Sequence, residues 1–431
     1  MSDMDERPET GGLARLIASA PAWARLATLG VAAIAGLSGL YLSWPVIASE
    51  PDRLRWFVLV PGLAILMVTI GVWVLVRSIA LAALAAASLF VCVLWVGGLL
   101  ALQGVADGAP LFFTIGLMLV LAPMLFVLDR FVAAICSGEP MQGALARAIG
   151  HDSRGATQAF VAGLAGLVGV LLFEDNGRGA MFAAWFVAAG AFVVLPLGAG
   201  LLNYDENAVA RANRAREAWD RALHRFARLA EARWAYALSG SVAVLAAILL
   251  SEGRGGLLAR MAEEQEGWFA AGAGFAAMLG VAALAFRGDI RALTAFGLFT
   301  ALVFGFAAAA IDASTGAVPA TAAFAAFLVA PSGLLIASRL SDQLRRHEAP
   351  EIAYAITLTE AGAPVLVALV IGLGGFAAWG ARDMQTAVLA ASLVELAGAF
   401  ALLPALMSAF ERLFPRHRSA DEIFGRPQTG R

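Results

Sequence analysis

Residues 190–196 read GAFVVLP, and residues 398–404 read GAFALLP, the same phrase 208 positions later. The interval holds elsewhere. Leu121-Ala122-Pro123 returns as Val329-Ala330-Pro331, Asp152 aligns with Glu360, and Glu174-Asp175 aligns with Arg382-Asp383, each at a spacing of 208. Self-similarity at a long fixed interval means that one structural unit is written twice. In a strongly apolar chain the expected result is a duplicated helical bundle, with function placed where the halves meet.

Composition defines the solvent. Hydrophobic residues make up 61% of the chain and charged residues 14%; mean hydropathy is +0.80, outside the range of a water-soluble domain. A helix crossing roughly 30 Å of hydrocarbon needs about 20 apolar residues. Twelve such runs are predicted, six between Leu26 and Leu202 and six between Trp234 and Met407. The expected fold class is all-α: a polytopic integral membrane protein of about twelve transmembrane helices, built as two pseudo-symmetric six-helix repeats over residues 26–202 and 234–410. Residues 1–25, 203–233 and 411–431 are then an N-terminal segment, an amphipathic linker helix and a tail, all cytoplasmic.

Every one of the 30 basic residues is Arg. With both termini in the cytoplasm, Arg53, Arg55, Arg178, Arg254, Arg260 and Arg382 fall in outer loops and the other 24 face inward. This bias predicts cytoplasmic ends, in agreement with an even number of spans. The start, MSDMDERPET, is acidic and lacks the basic region of a cleaved signal peptide, so the first span is expected to act as its own targeting signal. Arg-only usage with abundant Ala and Gly points to a GC-rich bacterium and hence to an inner membrane. A formal net charge of −2 gives no case for nucleic acid as a partner. Cys92, within a span, and Cys136, at the inner end of another, make a poor disulfide pair.

Packing signals are plentiful. Forty-five Gly, including Gly163, Gly166 and Gly169, allow backbones to approach where lipid supplies no hydrophobic drive. Pro123, Pro331, Pro196 and Pro404 fall in matched spans; each removes a helix hydrogen bond and predicts a kink. Between the halves, Asp205 to Arg233 places Trp219, Leu223, Phe226 and Ala230 three and four apart, with seven Arg and five acids on the remaining positions. A helix lying on the membrane surface, acting as a hinge, is expected there.

Signals for catalysis are weak. Gly36-Leu37-Ser38-Gly39 superficially matches a membrane serine-hydrolase phrase, but a nucleophilic Ser needs an adjacent base. The four His, His151, His224, His347 and His417, all fall in cytoplasmic segments, so the phrase is read as helix packing. His347-Glu348 is not completed to His-Glu-x-x-His, and neither a phosphate loop nor a dinucleotide fingerprint occurs. The expectation is therefore no enzyme, no catalytic residue, no cofactor and no metal site.

Charge inside the spans is the more informative signal. Glu395, in ASLVELAGAF, falls near the centre of the twelfth span, opposite Val187 in the repeat. An ionised group there costs about 2.5–3.5 kcal/mol on insertion scales. It is expected either to be a proton- or substrate-linked carboxylate facing the repeat interface, or to be bonded, protonated, to a neighbouring helix or a partner. A second cluster, Asp129, Arg130, Asp152, Arg154, Thr357, Thr359 and Glu360, gathers near the cytoplasmic face. Asp152 and Glu360, one per half, would suit a gate, although ion pairs at such boundaries are also ordinary. Ser332, Thr357 and Thr359 are candidates for a substrate path.

After the fourth span of each half stands a short link, EPMQGALA from Glu139 and EAPEIAYA from Glu348. Ile115-Gly116 precedes a span ending Val127-Leu128-Asp129-Arg130-Phe131, and Ala337-Ser338-Arg339-Leu340 holds the same place in the second half. From Leu26 to Phe410 the chain resembles the resistance-nodulation-division (RND) superfamily, including its MMPL and sterol-sensing-domain-like branches. Two departures stand out. The family's large extracytoplasmic domains are replaced by Ile47 to Trp56 and Ser251 to Gly267, too short to fold as domains. The family's relay Asp in the fourth span falls at about Ala122, with Ala330 and Pro331 in the other copy. The resemblance implies transport of a hydrophobic or lipid-like substrate in the lipid bilayer, a separate periplasmic or membrane protein partner, and room for a homo-oligomer. The alternatives are a non-pumping lipid-binding sensor or scaffold, and a secondary transporter of another twelve-helix fold such as the major facilitator type. The Arg77-Ser78 connection lacks the Gly-rich loop of that last type.

Overall fold

The computed structural model describes residues 19–48, 51–102, 109–171, 177–202, 204–251, 265–311, 318–346, 349–376 and 382–414. Among them the only regular structure is helical, with no strand, as a backbone without water to bond requires. The first half contains α1 (Ala22–Ala48), α2 (Pro51–Val76), α3 (Ile79–Leu102), α4 (Ala109–Cys136), a short α5 (Met141–Arg147), α6 (Ser153–Leu171), α7 (Gly177–Ala189) and α8 (Leu195–Ala199). The linker forms α9 (Glu206–Leu223) and a 3₁₀ segment, His224–Ala230. The second half contains α10 (Ala232–Ser251), α11 (Gln265–Ala285), α12 (Ile290–Ala310), α13 (Val318–Arg346), α14 (Pro350–Thr357), α15 (Ala363–Phe376), α16 (Arg382–Phe400) and α17 (Leu402–Leu413).

Each of the twelve predicted runs falls on a helix or on two helices in series. Among the described residues eight helices are long and apolar enough to cross a membrane, or nine if the bent pair α16–α17 is one span. Helix α7 is broken by a π turn, Gly190–Val194. The protein is thus polytopic and all-helical.

The helix contacts repeat with the sequence. Inside each half the fourth-span helix is central, α4 packing on α2, α3, α6 and α7, and α13 on α11, α12, α15 and α16. Between halves, α6 packs against α11 and α13, while α15 packs against α2 and α4. Exchanging the halves turns one interface into the other. Even the ends match: α2 and α11 are both followed by an Arg in left-handed backbone, Arg77 at φ 54° and Arg287 at φ 52°, a form most residues avoid.

Small residues set the closest approaches. A Cβ on Gly169 of α6 would lie 2.5 Å from Cα of Gly274 on α11. Likewise a Cβ on Gly39 would strike the Leu94 carbonyl, and one on Gly98 would strike Gly39 itself. The Gly36-Leu37-Ser38-Gly39 phrase is therefore an α1–α3 packing face, and the Ser38 hydroxyl donates to the Ile34 carbonyl at 3.0 Å in its own helix.

Three sequence expectations need correction. First, the repeat interval is not 208 throughout. The α5–α6 and α14–α15 junctions each contain a π turn, Ala148–Asp152 and Leu358–Gly362, and these match at 210. The stretch from Pro331 to Pro350 is two residues longer than that from Pro123 to Pro140. Asp152 therefore matches Gly362, and Glu360 matches Gly150. Glu174-Asp175, paired at 208 with Arg382-Asp383, lies outside the described residues.

Second, the prolines do not act alike. Helices α4 and α13 run through Pro123 and Pro331 without a break; the Pro331 ring fills the groove left by Gly163 of α6. Pro196 follows a π turn, and Pro404 follows a bend of 45° between α16 and α17. Pro404 deprives the Phe400 carbonyl of its helical donor, and the buried Tyr354 hydroxyl donates to that carbonyl at 2.7 Å.

Third, the linker rests on protein. Leu223, Ala227 and Ala230 are buried, Leu223 presses on Gly362, and Phe226 packs on Phe400 with ring centroids 6.1 Å apart. Arg216 of α9 donates to the Asp129 carbonyl at 3.3 Å, and Arg412 of α17 donates to the Ala230 carbonyl at 2.9 Å. The apolar stripe that suggested a membrane surface covers the ends of the bundle instead. Half-buried Asp220 on α9 has its pKa raised, chiefly by burial and against the pull of Arg216.

Candidate functional site

The first site is built on α16 and α13. Glu395 is 1% exposed, and its Oε1 has no hydrogen-bond partner among the described residues. The carboxyl lies against the α13 backbone at Gly333, where any Cβ would collide with Oε1 and would come within 3.2 Å of the Phe299 ring. Gly333 therefore makes the space that the carboxyl occupies. Phe299 of α12 also abuts Gly398, so one ring separates α13 from the last turn of α16 before its bend. These neighbours all belong to the second half.

The interface between halves opens one turn away. Ser392, three residues before Glu395, and Ser332, next to Gly333, line a crevice of ≈ 10 Å³ together with Met118 and Leu121 of α4 and Ala368 and Leu369 of α15. That is space for about one water. The Ser392 Oγ is buried and has no partner among the described residues. Of the substrate-path candidates, Ser332 lines this crevice. The buried Thr357 hydroxyl donates to the Ala353 carbonyl at 2.8 Å, and that of the exposed Thr359 to the Ala355 carbonyl at 3.3 Å.

The second site lies at the end of the bundle that carries the linker. Asp152 is 4% exposed and is approached by three guanidinium groups: Arg130 Nε at 3.6 Å, Arg147 Nε at 3.9 Å and Arg339 Nη2 at 4.0 Å. Arg339 of α13 also donates to the Asp152 carbonyl at 2.8 Å and lies over the Phe126 ring, 4.8 Å from its centroid. One second-half side chain thus holds two first-half elements. Glu360 does not meet Asp152; its two oxygens face Gln343 Nε2 at 3.4 Å each. Both acids line one cavity of ≈ 330 Å³ between α6, α11 and α13. Asp129, although adjacent to Arg130, turns away from it toward Arg216, whose Nη1 is 3.9 Å from Oδ2.

Sequence reading selected Asp152, Glu360, Arg130 and Arg154 of this cavity. It did not select Arg147, five residues before Asp152, nor Arg287, Arg339 and Arg346, which lie in the second half and reach the cavity through the packing of α6 on α11 and α13.

No protein family model matches this chain, and no curated protein matches it. Among solved structures the chain is similar to SecDF, a translocon-associated membrane protein from Thermus thermophilus and an RND-superfamily member. The TM-score is 0.54 at 14% identity, over 83% of this chain and 62% of that chain. The chain thus spans less than two thirds of SecDF, and the likeness is one of fold.

Proposed function

We propose that this chain is a transport protein of RND fold, with twelve spans and both ends cytoplasmic in a bacterial inner membrane, that moves a hydrophobic or lipid-like molecule with Glu395 as its proton carrier. The observation that carries the reading is the Glu395 carboxyl, fully buried against Gly333 without a partner for Oε1. Ionised, such a group must gain water or a cation, or its helix must move. Helix α16 is suited to move. It packs on α12, α13 and α15 and turns by 45° just beyond Gly398, which makes that bend the place where it can move. The nearby Ser332–Ser392 crevice is the nearest route for water.

The position also makes sense against the RND resemblance. Ala122 and Ala330 carry no acid where the family's relay Asp is expected, but Gly333, which receives Glu395, lies one helical turn after Ala330. The carboxylate comes from the neighbouring helix. Handling of a lipid-like substrate by the spans, and transfer to a separate periplasmic or membrane protein, follow from the short Ile47–Trp56 and Ser251–Gly267 connections. A second reading, a non-pumping lipid sensor or scaffold, rests on the missing acid at Ala122 and Ala330.

Proton flux in proteoliposomes under an imposed pH gradient, with a panel of lipid extracts, tests both. Lipid-stimulated flux that disappears in Glu395→Gln, with unchanged elution on size exclusion, is the expected result. Equal flux in the two proteins removes Glu395 from the mechanism. Absence of flux in both, with lipid binding retained, selects the sensor reading.

A further inference from the structure

The cavity between α6, α11 and α13 has a charge imbalance that the transport reading does not use. Six arginines line it, Arg130, Arg147 and Arg154 from the first half and Arg287, Arg339 and Arg346 from the second, against the acids Asp152, Asp342 and Glu360. The acids do not neutralise the arginines. Asp152 is shared among three of them, Glu360 and Asp342 also attract Arg339, and three acids against six arginines leave a formal excess of positive charge. Arg154, Arg287 and Arg346, all exposed at the cavity rim, have neither an ion pair nor a side-chain hydrogen bond among the described residues and are open to a ligand. A planar fork of N–H donors matches phosphate oxygens two at a time.

We infer that this cavity is a binding site for a phosphate-bearing anion that bridges the two halves. A volume of ≈ 330 Å³ lies within the range of small-molecule sites. It accommodates a diphosphate or a phosphoglycerol headgroup. The contribution of three arginines from each half gives the ligand a mechanical role: bound, it ties α6 to α11 and α13, and released, it leaves like charges facing across the same interface. The pseudo-symmetric interface has no such chemistry. Around α15, the places of Asp152, Arg154 and Gln158 are held by Gly362, Pro364 and Ala368, so a ligand can fasten only one of the two seams. The site is independent of Glu395.

The test uses the purified full chain in a neutral detergent. Binding of inorganic pyrophosphate, dioctanoyl phosphatidylglycerol and dioctanoyl phosphatidylcholine is read by the shift in thermal unfolding and by titration at 50 and 500 mM salt. The variant is the triple Arg154→Gln, Arg287→Gln, Arg346→Gln, which leaves the Asp152 ion pairs intact. Saturable binding of pyrophosphate or of the glycerol lipid, weakened at least tenfold in the triple variant and at high salt, is expected. Pyrophosphate alone identifies a soluble phosphate compound, and the glycerol lipid alone identifies a membrane headgroup. Equal affinity of native and triple-variant protein, equal binding of the phosphatidylcholine, or no binding by folded native protein overturns the proposal. So does tighter binding of an acidic peptide such as oligo-glutamate, which would make the cavity a protein-docking site. Loss of flux in Glu395→Gln with anion binding intact separates this inference from the transport reading.

Discussion

The two seams between the halves are related by the repeat, yet they are built differently. At one, α6 meets α11 backbone to backbone through Gly169 and Gly274, Phe327 fills the space beside Gly166, and the arginine cavity opens at the linker end. At the other, α15 meets α2 through side chains, with Ile371 and Val367 against Gly71; a small Ser332–Ser392 crevice lies between the spans, and α9 covers the linker end with the Arg216–Asp129 pair. Duplicated sequence fixes which helices meet. Differences at a few positions decide what each meeting can do: one seam is closed by glycine backbones and opens into an arginine cavity, and the other is joined by side chains and capped by the linker.

That contrast can be broken most severely at Asp152. Replacing it with Ala leaves Arg130, Arg147 and Arg339 facing one another without their shared acid; removing one partner of a buried ion pair costs about 3–5 kcal/mol, and partial exposure of the arginines places this case at the lower end. Thermal unfolding in detergent should show a clear loss. At the matched position, Gly362→Ala should be tolerated, because its Cβ crowds the movable Leu223 tip and otherwise makes ordinary contact with Leu358. Comparable losses in the two variants would erase the proposed asymmetry.

A smaller effect is expected from the packing itself. Gly169→Ala pushes a methyl group into the Gly274 backbone and should destabilise by about 1–3 kcal/mol, the usual cost of overpacking. Gly71→Ala meets the ends of Ile371 and Val367, which can rotate aside, so its unfolding temperature should fall less. Tyr354→Phe sharpens the comparison of the two proline sites. It strips the Phe400 carbonyl of its donor and should cost about 1–3 kcal/mol, the penalty for a buried acceptor left unmet.

The smallest change is expected in the linker. Asp220 has a pKa raised by burial, so its ionised form opposes folding at neutral pH. Stability from this group is greatest below the ordinary carboxylate pKa, where both states are protonated, and is lost as pH rises through the raised folded-state value. Asp220→Asn should therefore equal or slightly exceed the native protein in unfolding temperature at pH 7, with the difference vanishing near about pH 4. A clear loss at pH 7 would show that the Arg216 attraction outweighs burial.

Much of this was legible in the residues. GAFVVLP and GAFALLP located the two copies, apolar runs located the helices, and Glu395 stood out because a charge at mid-span is expensive wherever it points. The register of Asp152 and Glu360 was not legible. Two extra residues before Pro350 shift the second π turn, and no local pattern marks them as an insertion. Nor did the stripe Trp219, Leu223, Phe226 and Ala230 disclose its partner, because an apolar face suits lipid and protein equally.

By itself, then, the sequence determined an all-helical membrane chain made of two copies, since apolar length and repeated phrases are local and one-dimensional properties. Only the tertiary structure decided that Glu395 is received by Gly333, that Asp129 and Arg130 face opposite ways, and that three arginines from each half meet in one cavity. Those facts depend on helix rotation and on contacts between residues nearly 200 positions apart, and the period of a helix alone does not set either.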